Sequence, residues 1–144
     1  MSIYLDWDGH ERVGPVRLGM TLEECRQAIP GVVDDRPAVD DPELQASLEP
    51  TFSWWSEEYG VDVLFFGETA QDIACFAEFL WQGENLIGVP LTTAVAALGG
   101  QAAVTTDLRD EGYDFLSIET VLGPEVSAQD GIVTFINIGN ELDE

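Results

Sequence analysis

The sequence predicts an α+β fold: a mostly antiparallel sheet with helices on one face, in two tandem helix–hairpin runs sharing one core. Three observations predict it. A capped amphipathic helix follows a Gly-Met-Thr turn near the start. Runs of β-branched and aromatic residues bounded by turn signals recur after it. The helix pattern also returns later in the chain, where LGMTLEECRQAIPG (18–31) lies over IGVPLTTAVAALGG (87–100).

Ile3 to Trp7 alternates and reads as a first strand. Thr21 followed by Glu24 makes a capping box, in which the hydroxyl accepts from the Glu24 N–H and the carboxylate reaches back. Glu23 and Glu24 favour the positive end of the helix dipole. Leu22, Cys25 and Ile29 give the apolar face, and Pro30-Gly31 stops the helix. Asp34 to Glu43 (DDRPAVDDPE) reads as a solvated loop, with a short helix from Pro42 to Leu48. Phe52 to Trp55 and Val61 to Phe66 read as strands, Gly67 to Asp72 as a turn, and Ile73 to Leu80 as the returning strand of a hairpin.

In the second half Leu91, Val95 and Leu98 form the helical stripe, and Gly99-Gly100 ends it. Gly19/Gly88, Leu22/Leu91, Ala28/Ala97 and Gly31/Gly100 are identical across the superposed segments. Tyr113 to Ile118 and Gly131 to Ile138 form a further candidate hairpin. The chain is therefore expected to be one domain over 1–144, with an internal repeat of 12–81 and 82–144. Halves this small gain from sharing a sheet and a core.

Composition narrows the function. Among 144 residues there are 28 Asp+Glu against 5 Lys+Arg, a net charge of −23, and all the cations are arginines. A phosphate-binding surface needs clustered cations, so nucleic acid and anionic membranes are not expected partners. Without lysine there is no Schiff-base or P-loop chemistry. A hydrophobic content of 45% separates this acidity from that of a disordered chain. The opening residues contain neither a basic region nor an apolar stretch, and Cys25 and Cys75 lie far apart, so a cytoplasmic protein with reduced, buried thiols is expected.

The stretch Val13 to Gly31, with its Leu-Gly-Met-Thr, acidic pair and helix ending in Gly, resembles the repeat unit of secreted β-lactamase inhibitor proteins and of small outer-membrane assembly lipoproteins. It is also similar to small cytoplasmic proteins found among toxin-immunity proteins. The resemblance implies a helix-on-sheet scaffold that binds other proteins. The opening residues show no signal-peptide pattern and no lipidation cysteine, so a periplasmic or membrane role like that of the secreted proteins is not expected.

Candidate chemistry is sparse. Asp6, Asp8, His10 and Glu11 could be read as metal ligands, but they lack the spacing of a calcium loop, and a polar turn explains them as well. Cys25 falls on an apolar helix face, where a thiol behaves as a small hydrophobe rather than a nucleophile for His10. Paired carboxylates are too numerous to mark a hydrolase. No catalytic residue, metal or cofactor is expected.

The acidity suits either plain solubility or docking on a basic partner, where charge steers association. The expected footprint is Asp34, Asp35, Asp40, Asp41 and Glu43, with Glu57 and Glu58 beside Trp54 and Trp55, and Asp107, Asp110, Glu111 and Asp114 in the second half. Adjacent tryptophans on a strand face opposite ways, so one should be core and the other a partner-facing anchor. The leading expectation is a non-enzymatic inhibitor, a bacterial immunity protein that occludes the basic active-site surface of a cognate toxin. An adaptor or chaperone for a secreted effector and a small Asp/Glu hydrolase are the alternatives. The chain is expected to be a monomer or weak dimer, because acidic faces repel.

Overall fold

The computed structural model describes residues 5–34, 51–66 and 69–139. The chain builds a first strand pair, β1 (Arg12–Val13) and β2 (Val16–Arg17), then α1 (Leu22–Ala28) and four strands: β3 (Val32–Asp34), β4 (Thr51–Ser56), β5 (Val61–Phe66) and β6 (Thr69–Cys75). The order then runs again. A second pair, β7 (Leu80–Trp81) and β8 (Glu84–Asn85), precedes α2 (Leu91–Ala97), β9 (Gln101–Asp107), β10 (Phe115–Thr120), β11 (Glu125–Gln129) and β12 (Ile132–Gly139). Eight strands form one sheet in the order β3-β4-β5-β6-β12-β11-β10-β9, every neighbour antiparallel. The two runs meet at its centre, where Cys75 of β6 pairs with Ile136 of β12.

This corrects the α+β expectation. The architecture is mostly antiparallel β, and the described residues hold two α-helices of seven residues each. Pro30-Gly31 and Gly99-Gly100 stop both helices after two turns, too short to layer a sheet of this width. Segments expected to connect elements are strands instead. β6 begins at Thr69, inside the expected turn, and ends at Cys75 rather than Leu80. Gln101–Asp107 is the sheet's outer strand. Glu125–Gln129 lies between the two strands expected to form the last hairpin. In the expected first strand, Asp6 and Trp7 make only isolated bridges. The expected helix from Pro42 to Leu48 lies outside the described residues.

The local chemistry of α1 is as its sequence dictates. Thr21 Oγ1 accepts from the Glu24 N–H at 3.2 Å, and Glu24 Oε1 accepts from the Thr21 N–H at 2.9 Å. Those bonds draw the Glu24 carboxyl below its ordinary range. Gly19 and Gly88 both adopt φ +87°, a left-handed conformation that favours glycine, at the same point before each helix.

The core lies on one face of the sheet. Val61, Val63, Phe65, Ile73, Cys75, Val126, Ile136 and Ile138 are buried there with Cys25 and Ile29 of the α1 segment, Ala94 and Leu98 of the α2 segment, and Leu5, Trp7, Phe79 and Leu86. No helix among the described residues is long and apolar enough to cross a membrane.

Candidate protein-docking site

On the opposite sheet face no helix packs among the described residues, and the pleat turns a different set of side chains outward. β5 shows the alternation: Val61, Val63 and Phe65 are buried while Asp62 and Leu64 are only half-buried. In β4 the same pleat separates the two tryptophans. Trp54 pairs with Val63 and is 5% exposed, whereas Trp55 pairs with Asp62 on the second face and is half-buried.

Trp55 begins a row of rings. It meets Phe76 edge-on at 5.8 Å, Phe76 meets Phe135 at 5.2 Å, and Phe135 stacks on Phe115 at 6.4 Å. The row thus runs from β4 to β10 across the seam between the two halves. Phe76 directly follows β6, where its N–H donates to the Gly60 carbonyl at 2.7 Å, and it is 40% exposed. Edge-to-face and offset ring pairs add about 0.5–1.5 kcal/mol each beyond buried area.

The strand registers place the 57–60 turn, Phe76, the 108–114 connection and the 130–131 turn at the same end of the sheet. Glu57, Glu58, Asp107, Asp110, Glu111 and Asp114, two groups distant in sequence, therefore border one ring row, and all are exposed. Asp107 is not a free carboxylate. Arg109 grips it with Nε at 2.9 Å and a terminal nitrogen at 2.7 Å, which holds its carboxyl down at about 2. Its backbone N–H also donates to Asp107.

Asp34 departs from the expected grouping. Its backbone pairs with Ser53, so β3 carries it away from the Glu57–Glu58 turn. Asp35, Asp40, Asp41 and Glu43 lie outside the described residues.

Toward the other end of the second face sit carboxylates the sequence reading passed over. Glu119 and Glu125 are directly paired across β10 and β11, and Glu125 also pairs with Asn137 of β12. Asp72 accepts from Asn137 Nδ2 at 3.3 Å. Burial pushes its carboxyl up to about 6, and the nearby Glu125 and Asp62 charges add to the rise.

Asp8 Oδ1 accepts from the His10 and Arg12 N–H groups, at 2.8 and 3.1 Å, so the acidic opening closes a polar turn. No group of three or more metal-ligating side chains converges among the described residues. Cys25 and Cys75 are buried free thiols, and desolvation pushes both up to about 12, so neither is a thiolate at neutral pH.

Phe76, Phe115 and Phe135 were missed by sequence reasoning. Phe76 sits one residue beyond its strand, and Phe135 follows an irregularity opposite Ser127/Ala128 that breaks the alternation of β12. Comparison with protein-family models, curated proteins and solved structures returned no match. The likeness of Val13 to Gly31 to inhibitor and assembly-protein repeats thus stays one of a short motif.

Proposed function

We propose that this chain is a non-enzymatic protein-binding inhibitor that docks on a basic partner through the ring row and the acidic end of its sheet. The observation that carries this reading is the row Trp55–Phe76–Phe135–Phe115, bordered by the exposed carboxylates of Glu57, Glu58, Asp110, Glu111 and Asp114. Rigid aromatic anchors supply contact area at low entropic cost, and the carboxylates steer a cationic surface toward them. A net charge of −23 extends that steering field over the whole molecule.

A toxin whose active site handles an anionic substrate presents such a basic surface, and covering it stops turnover without chemistry by the inhibitor. An immunity protein in the cytoplasm is the cellular role that fits best. Two buried free thiols suit a reducing compartment.

The test is affinity capture on the immobilised chain at low salt, followed by a salt step and identification of what elutes. One basic protein released by moderate salt supports the reading, because charge-driven docking weakens as screening grows. Recovery of nothing, or of a partner indifferent to salt, contradicts it; the latter result fits the adaptor reading.

A further inference from the structure

We propose that the outer edge of β9 is a self-association surface, on which a second copy of the chain pairs its own β9 antiparallel to form a two-fold dimer. The two ends of the sheet differ in kind. β3 is three residues long, a short edge that offers little backbone for pairing. β9 is seven residues long, and no strand among the described residues pairs with its outer edge.

Charge selects the occupant. From Asn85 to Thr106 the sequence has no charged side chain, in a molecule of net charge −23. Asp107, the only charge in β9, is neutralised by Arg109. Two such acidic molecules approach at least cost along a strand without an unpaired charge of its own, and β9 is such a strand, with Glu119 the nearest carboxylate one strand further in. A cationic partner, by contrast, would be drawn to the exposed carboxylates at the acidic end of the second face.

Apolar surface gathers at the same edge. Val104 is 49% exposed, and Val121 and Leu122 of the β10–β11 turn are 60% and 46% exposed. The turn lies against the start of β9, with the Val121 N–H donating to the Gly100 carbonyl at 2.9 Å. β9 carries irregularities at Ala102 and Thr105, which bend it relative to β10. Antiparallel self-pairing about a two-fold axis at Val104, the middle residue of β9, sets this exposed valine opposite its own copy. Because β9 meets β9, the contact is isologous and closes at two copies.

The experiment is sedimentation equilibrium of the full chain across protein concentration, at about 0.05 and about 0.5 M salt. A dimer whose dissociation constant falls about tenfold or more at the higher salt is expected, since screening relieves repulsion between the copies. This sign is opposite to that of docking on a basic partner, so the two surfaces fail or succeed separately. A102E and V104E, both at exposed positions, should yield monomers with an unchanged circular dichroism spectrum. A chain that is monomeric at every concentration, a dimer that survives both substitutions, or one that weakens with salt overturns the proposal.

Discussion

Phe76 and Phe135 pack with ring centroids 5.2 Å apart and planes tilted by 32°, although they come from opposite halves of the chain. Their contact lies beside the β6–β12 pairing, where Cys75 meets Ile136 on the buried face. The seam that joins the two runs of elements therefore also joins the two halves of the proposed docking surface. Each half contributes two rings, so neither presents the row by itself.

The Asp72 carboxyl, raised from 3.8 to about 6, makes folding stability depend on pH. Between those values the folded state holds a proton that the unfolded state has lost, so this group's contribution favours folding at low pH and is lost as pH rises through about 6. Asp72→Asn should raise stability at pH 7 by on the order of 1–3 kcal/mol and remove that part of the pH slope. Urea melts of the two proteins at pH 5 and pH 7 measure the difference.

Ser56 is fully buried, and its hydroxyl has no hydrogen-bond partner among the described residues. Burying an unsatisfied hydroxyl costs about 1–3 kcal/mol. Ser56→Ala should accordingly be neutral or stabilising by about 1 kcal/mol in chemical denaturation; a loss of stability would mean that the hydroxyl is satisfied.

Gly31 and Gly100 occupy matching places after the two helices but answer to different constraints. A Cβ on Gly31 would sit 2.6 Å from the Trp55 carbonyl oxygen and 2.8 Å from the Trp54 ring, whereas one on Gly100 meets open space at φ +102°. Gly31→Ala should cost about 1–3 kcal/mol by overpacking and disturb tryptophan fluorescence. Gly100→Ala should cost about 1 kcal/mol through backbone strain and leave the fluorescence alone.

Thr21→Ala removes the hydroxyl of the capping box and should lower stability by about 1 kcal/mol. Thermal melts beside Thr21→Ser, which keeps the acceptor, separate the cap from general packing.

Legibility in the sequence followed the reach of the interactions. The capping box is local, so Thr21 and Glu24 announced it. The offset of 69 residues taken from 18–31 and 87–100 also relates Leu22–Ala28 to Leu91–Ala97. β9 was illegible because an outer strand exposed along its length has no buried face to impose alternation, and Gln-Ala-Ala-Val-Thr-Thr-Asp reads as a connection. The proportion of strand to helix was misjudged for that reason. In the site, Glu57, Glu58 and Trp55 were visible as composition, but their place on the same sheet face and end as Phe115 and Phe135 depends on the order of strands, which no short-range pattern encodes.

Whether the ring row anchors a basic protein is read most directly by titrating the captured partner against the wild-type chain and against F76A and F135A at one salt concentration. Each substitution should weaken binding about tenfold or more, in keeping with aromatic hot spots, while circular dichroism stays native. Equal affinities for all three chains, with the folds intact, would show that the rings do not anchor the partner.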